Sequence, residues 1–517
     1  MLPQQREHCL KKEIATSGIR PPRNDEKVGA EVFPVAFFRE YTIIYGLKKC
    51  DEVLLMANAT APKVGENKMG TMPVGRLLFT MALPLAISML VQAFYNVVDS
   101  YYVSRISESA VTALGLAFPI QNLMIGCATG VGVGMNALLS KSLGEGNHKR
   151  ANQAAGNGLF LSLCFVLAFV IFGFAGARSY YSLQTQVAET LENGTAYVSI
   201  CSIFCVGIFV EIIGERLLQG SGRTVYTLFT QGLGAVLNII LDPIFIFGFA
   251  PLGIKPMGIA GAAVATVSGQ WVAAIMALIF NFTRNPDVQL KLKYMLPRKD
   301  IVGKILTVGI PSIIMMAIGS VMNFGMNQIL LGFKSYGETA AGVFGIYFKL
   351  QSFVLMPLFG LNNASISIIA YNYGARQPKR ITKTLKLAVG TAMTIMLVGL
   401  TVFQVFPNQL LGIFEPSDTF LSLGRSALRV ISFHFPLAAV GIALSSSFQA
   451  MGNGIYSTIV SLCRQLIALL PAAYLLSLTG DVHAVWWSFP IAEVVSMIVS
   501  LIFFARIYKQ KIKPLSE

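Results

Sequence analysis

Two carboxylates and two neutral oxygen donors stand out in the first half of this chain. Asn238 and Asp242 are four positions apart, which places both side chains on one helix face, a turn from each other. Pro243 follows directly; it has no backbone N–H, so a carbonyl one turn earlier is left free beside the carboxylate. Asp99 lies in another apolar stretch, fifteen positions after Pro84, and Thr266 lies in a third. No positive residue accompanies them locally. Such a cluster of carboxylate and oxygen donors can bind Na⁺ or hold a proton. Plainer readings stand beside this one. Asp99 could merely end a helix at the water interface, and Asn238 with Asp242 could hydrogen-bond between helices.

The elements that must carry these residues are membrane helices. The chain has 517 residues, of which 54% are hydrophobic and 13% charged, about half the charge usual in a soluble domain. Leu77 to Val103 holds one charge, Asp99, and Leu387 to Phe406 holds none. Runs of about 20 apolar residues suit helices that cross the hydrocarbon layer, whereas a β-barrel would show short alternating segments. Twelve helices are expected, at 76–103, 111–140, 151–176, 193–218, 223–249, 257–283, 300–332, 338–371, 381–407, 418–446, 453–477 and 483–507. At ~1.5 Å per residue, Asp99 comes about 6 Å, Asp242 about 10 Å and Thr266 about 13 Å from the outer ends of helices 1, 5 and 6. The four residues then share the outer leaflet, and Pro84 gives helix 1 a place to bend.

The chain also repeats itself. Pro84–Asn96 has a counterpart in Pro311–Asn323, and farther on Gln121 meets Gln351, Gly144 meets Gly374, Lys149-Arg150 meets Lys379-Arg380 and Gln219 meets Gln449. A run of matches in one order at nearly constant offset indicates a duplicated and fused unit. The net charge of +15 is not spread evenly and calls for no nucleic acid. Lysines and arginines gather in the 2–3, 6–7 and 8–9 loops and the tail, so the positive-inside rule puts those loops and both termini in the cytoplasm. Six helices per half is an even number. The second half therefore enters from the same side, and the pseudo-twofold axis should run along the membrane normal.

Other intramembrane polar residues are few. Glu211 in helix 4 pairs with Arg216, snorkels, or faces a cavity. Lys349 in helix 8 lines the cavity of the second half or pairs with Glu211. Arg464 and Glu493 come out at similar depth as a structural pair, and His434 reads as a core residue. Gly130-Val131-Gly132-Val133-Gly134 has no following Lys-Ser/Thr and sits in an apolar helix, so it reads as close packing and not as a phosphate loop. The seven cysteines lack metal-type spacing and read as small buried residues. No nucleophile–base arrangement and no ATP-binding signature is present, so no enzyme activity and no cofactor are expected beyond a coupling ion. Residues 1–70 are polar and aperiodic and read as a flexible cytoplasmic segment, with Met56 as a candidate natural start.

Five motifs together resemble the multidrug and toxic compound extrusion (MATE) family. They are Pro84…Tyr95-Asn96-Val97-Val98-Asp99, Gly144-Glu145-Gly146-Asn147, Leu217-Leu218-Gln219-Gly220-Ser221-Gly222, Asn238…Asp242-Pro243, and Gly258 through Thr266. The resemblance covers roughly Met69 to Ile512 and is nearest the bacterial multidrug-pump branch, close to the DinF-like group. It implies an all-α polytopic fold of twelve helices in two six-helix lobes, here 71–284 and 285–512 with a tail at 513–517. It further implies export of amphipathic or cationic drugs in exchange for H⁺ or Na⁺, and hence antibiotic resistance. It places a cation site at Asp99, Asn238, Asp242 and Thr266. The family's better-known branch also has acids in helices 7 and 10; Ser320–Leu331 and Ser422–Leu444 contain none, so coupling should reside in the first half. The setting implied is a monomer, multi-pass in the bacterial inner membrane, with the lipid bilayer and small organic cations as partners. The alternative is a lipid or lipid-linked oligosaccharide flippase of the same superfamily.

Overall fold

The structure is a computed structural model that describes residues 67–334, 336–414 and 417–515. The expectations for the N-terminal segment up to residue 66, and for a start at Met56, lie outside the described residues. The described chain is helical. Ten helices are long and apolar enough to cross a membrane, and two bent helix pairs bring the number of spans to twelve.

In order, these are α1 (Val74–Ser104), α2 (Glu108–Gly144), α3 (His148–Ile171, prolonged through a wider turn at Phe172–Gly176 into Ala177–Ser182), α4 (Ala188–Ile203 and Val206–Gly220), α5 (Val225–Phe247) and α6 (Ile259–Arg284). The second half repeats them as α7 (Lys299–Leu331), α8 (Gly337–Gly374), α9 (Pro378–Val405), α10 (Asp418–Ser432 and Phe435–Ala450), α11 (Gly454–Leu462, continuing through Cys463–Leu469 into Leu470–Ser477) and α12 (Val482–Val485 and Ser488–Ile507). Packing follows the repeat. α1 lies along α8 as α7 lies along α2, and α5 lies beside α1 as α11 lies beside α7.

The crossing of α2 and α8 shows how the halves are related. A side chain on Gly144 would fall on the Tyr371 carbonyl, and one on Gly374 would fall on the Lys141 carbonyl. Lys141 and Tyr371 occupy equivalent positions of the repeat, as do the two glycines. Each glycine is the last residue of its helix, so equivalent helices end on the same side. The halves are therefore related by rotation about an axis along the helices, which is the membrane normal, and not by inversion. Turns repeat too. Gly222 and Gly452 both take left-handed backbone (φ 83° and 77°), and Gly146 (φ 69°) is matched by Arg376 (φ 53°).

Two breaks were not expected from the apolar runs. α4 bends by 46° at Phe204-Cys205 and α10 by 48° at the equivalent Phe433-His434. Carbonyls at a break must be satisfied within the protein; here the Gly207 N–H bonds the Phe204 carbonyl and the His434 N–H the Ile431 carbonyl, and each half adds a ring donor to the same oxygen. Trp271 Nε1 of α6 donates to the Phe204 carbonyl (3.2 Å), while His434 Nδ1 donates to the Ile431 carbonyl (2.6 Å). Neither break is marked by proline at the bend itself, which is why periodicity alone reads straight helices there. α1, by contrast, continues unbroken through Pro84.

The glycine crossing generates a prediction. Gly144→Ala places a methyl group against backbone that cannot rotate away, and should destabilise the fold by about 1–3 kcal/mol, the range for overpacking. Gly115→Ala, where the added carbon meets nothing within 4 Å, should not destabilise it and should gain up to about 0.5–1 kcal/mol, because glycine inside a helix is less favourable than alanine. Thermal unfolding midpoints in detergent check the pair.

Candidate functional site

The first half contains a cavity of about 660 Å³. Its walls come from α1, α2, α4, α5 and α6, with one residue, Lys349, reaching in from α8 of the second half. Lys349 therefore lines this cavity and not one in its own half, because the long α8 crosses to the first half, and among the described residues no ion pair joins it to Glu211. Asp99, Asn238, Thr266 and Glu211 all line it. Asp242 is fully buried and lies off the cavity wall, one turn beyond Asn238 on α5.

The local geometry ties α5 to α6 through one amide. With its nitrogen donating to Asp242 Oδ2 (3.2 Å), the Asn238 amide accepts on its oxygen from Thr266 Oγ1 and the Thr266 backbone N–H, both at 3.3 Å. The opposite orientation aims the amide nitrogen at the threonine hydroxyl instead. The first orientation matches donors to acceptors at both ends, and amide orientation is assigned on that basis. The space for this contact comes from small residues: Gly234 and Gly269 bring α5 and α6 backbone to backbone one turn below. Pro243 sits within α5 without ending it.

Asp99 is held differently. Among the described residues its Oδ1 is buried and has no hydrogen-bond partner. A carboxylate oxygen shut from water and unpaired is costly unless a cation or proton joins it. Asp99 lines the same cavity as Asn238, whose amide bonds Asp242. The four residues singled out by type and spacing therefore occupy one region of one half.

Glu211 also lines the cavity, and among the described residues no ion pair joins it to Arg216, whose Nη1 donates to Gln219 Oε1 instead (3.1 Å). Sequence reasoning overlooked Glu215. It lies four positions on, one turn along the same face, and also reaches the cavity. Thr230 Oγ1 (2.6 Å) and Gln231 Nε2 (2.8 Å) donate to its carboxylate. The signal that could have found it is the Glu-x-x-x-Glu spacing. Glu215 is thus engaged, and Glu211 is the acid left facing the cavity. In the second half the comparable polar groups are occupied: Arg464 Nη1 lies 3.7 Å from Glu493 Oε2, and His434 is packed on Phe435 with Gln351 3.4 Å from its Nε2.

The family model MatE matches residues 84–244 and 311–475, one match in each half. The chain belongs to the MatE family. Among curated relatives, the multidrug export protein MepA of Staphylococcus saprophyticus is 24% identical over 422 residues, covering 81% of this chain and 91% of that one. MepA of Staphylococcus aureus (strain NCTC 8325) is 23% identical over 423 residues, with the same coverage. Among solved structures, a MATE protein in complex with MaL6 superposes with a TM-score of 0.81 at 26% identity, covering 87% of this chain and 98% of that one. An outward-facing multidrug resistance MATE family transporter of the MOP superfamily gives 0.81 at 26% identity, covering 88% and 100%. The fold is thus that of a twelve-helix transporter in two six-helix halves. The chain is a multi-pass membrane protein and not an enzyme.

Asn238→Ala deletes the hydrogen bonds that link Asp242 to Thr266. Membrane-buried hydrogen bonds average about 0.6 kcal/mol with a maximum near 1.7, so the variant should lose about 1–2 kcal/mol of stability. A lowered unfolding midpoint, with the helical circular dichroism signal retained, checks this.

Proposed function

We propose that this protein is a secondary active antiporter that exports amphipathic and cationic organic compounds, drugs among them, in exchange for H⁺ or Na⁺. The observation that carries the proposal is the unpaired buried oxygen of Asp99 on the wall of the first-half cavity. The names of the curated relatives, both multidrug export proteins, support the choice of cargo. The carboxylates of Asp99, Glu211 and Glu215 against the single amine of Lys349 make the cavity attractive to cations. That balance argues against a flippase for lipid-linked oligosaccharides, whose pyrophosphate would call for a cationic wall.

In this reading Asp99 is the entry acid, and Asn238, Asp242 and Thr266 are the oxygen donors behind it. A proton or Na⁺ arriving there neutralises the repulsion between the two aspartates. Pro84, fifteen positions from Asp99 in α1, lacks the N–H that would stiffen the helix one turn back. α1 then bends at Pro84, the cavity narrows, and drug affinity falls. By linkage, drug binding weakens cation binding by the same factor. Glu211 supplies the counter-charge for a cationic drug. The protein works as a monomer in the cytoplasmic membrane, with both termini and the basic loops inside.

The test is efflux from proteoliposomes loaded with an organic cation, with H⁺ and Na⁺ gradients imposed separately. One of the two should drive export. Asp99→Asn and Asp242→Asn should each reduce gradient-driven export to the rate of protein-free liposomes while keeping wild-type insertion and unfolding midpoint. Export by both variants at wild-type rates would remove the first-half cation site. Lys349→Gln should keep the gradient dependence and tighten the apparent affinity for cationic drugs severalfold, because it removes a like charge from a low-dielectric cavity; a Kd series by fluorescence polarisation reads it.

A further inference from the structure

A second concave site lies at the opposite end of the second half, where α9 begins and α12 ends. It is a pocket of about 390 Å³ lined by Lys379, Thr382, Lys383 and Lys386 of α9 and by Tyr508 and Ile512 beyond α12. The three lysines are spaced i, i+4, i+7, so they form one row on one face of α9. All three are exposed. No carboxylate lines the pocket, and among the described residues no ion pair engages any of the three.

The positive-inside rule explains basic residues in loops, but not this row. Lys386 is eight positions into the helix, about 12 Å along its axis from Pro378. The row is also absent from the other half. By the offset of the repeat, Lys383 and Lys386 correspond to Gln153 and Gly156. In the first half that face is covered by the linker after α6. Asn157 Nδ2 donates to the Tyr294 carbonyl (3.0 Å), Asn152 Oδ1 accepts from the Gln289 N–H (2.7 Å), and Gly156 lies against Tyr294 with no room for a side chain. In the second half the equivalent face carries lysines and, among the described residues, is left open.

Above the pocket both helices continue as exposed apolar surface. Leu397, three turns beyond Lys386 on the same face, is 45% exposed, and Leu501, two turns before Tyr508, is 46% exposed. A ligand fitting both parts has a phosphate-bearing headgroup for the lysines and Tyr508, and acyl chains for the wall above. We propose that this pocket binds an anionic phospholipid of the leaflet that faces the basic loops. The lysine ammonium groups engage the phosphate as point charges, their stems lie on apolar surface, and the chains lie in the groove between α9 and α12. The bound lipid fills in the second half the place that the linker fills in the first.

The test uses the full chain, purified and delipidated in detergent. Phosphatidylglycerol, phosphatidylcholine, inorganic phosphate and glycerol 3-phosphate are added separately, and native mass spectrometry and thermal unfolding are read. Phosphatidylglycerol should be retained and raise the unfolding midpoint, and the other three should not. The variant K379Q/K383Q/K386Q should weaken phosphatidylglycerol binding by about tenfold or more, as three surface lysines should. Lys386→Gln alone should weaken it measurably, and K291Q/K293Q, outside the pocket, should leave it unchanged. Undiminished binding by the triple variant would overturn the proposal. Binding of free phosphate or glycerol 3-phosphate as tight as that of the lipid would overturn the lipid as occupant. None of these readouts involves drug export, so the result stands apart from the antiport reading.

Discussion

The two halves are held together where side chains are missing. Helices in lipid gain little from hiding apolar surface, because the solvent is equally apolar; they associate through close packing and backbone approach. Here the approach is concentrated on glycines. Gly130 and Gly134 of α2 meet the backbone of α7 at Gly309 and Ile305, Gly360 of α8 meets α1 at Leu85 and Ala86, and Gly144 and Gly374 close the crossing of α2 with α8. The contacts of α2 with α7 and of α8 with α1 are images of each other under the twofold. Gly132, between the first two, instead leaves room for the Arg216 side chain. The Gly-x-Gly-x-Gly run is therefore a packing surface and holds no phosphate.

Duplication with symmetric packing leaves the chemistry free to become asymmetric. In each half the equivalent glutamine of the second helix reaches a ring on the broken fourth, although at different positions along it: Gln121 bonds Tyr197, and Gln351 lies 3.4 Å from His434 Nε2. The first half surrounds this contact with acids and leaves Asp99 incompletely paired. The second half closes its own with aromatic rings, as Tyr347, Phe403, Phe435 and Phe489 pack ring against ring around His434. One lobe thus keeps acids on a cavity wall, and the other fills the corresponding region with packed rings. Lys349 is the one second-half residue on the wall of the first half's cavity.

The charges outside the membrane follow the same division. In the first half the linker after α6 is stitched to α3 by Asn152 and Asn157. In the second half Arg380 at the start of α9 instead holds the chain entering α1, through the Met69 and Met72 carbonyls at 2.9 and 2.8 Å. Equivalent helices therefore anchor different segments, and the lysine row on α9 occupies the surface left over.

The amino-acid sequence by itself determined the class, the span count and the relation between the halves. Span length and charge distribution are constraints set by the bilayer, and a repeat is visible residue by residue. It also marked Asp99, Asn238, Asp242 and Thr266, because oxygen donors in apolar helices are rare enough to stand out. It could not show that Asn238 joins the group, bonding Asp242 on one side and Thr266 on the other, since the second partner lies on a different helix. Glu215 was not singled out, and Arg216 was read as a partner of Glu211, whereas the fold turns the arginine toward Gln219 and brings Thr230 and Gln231 to Glu215. The bends in α4 and α10 carry ring donors, Trp271 from another helix and His434 at the break itself, and the lysine pocket depends on α12 ending beside the start of α9. Local spacing reports which groups share a face; only tertiary packing decides what stands opposite that face.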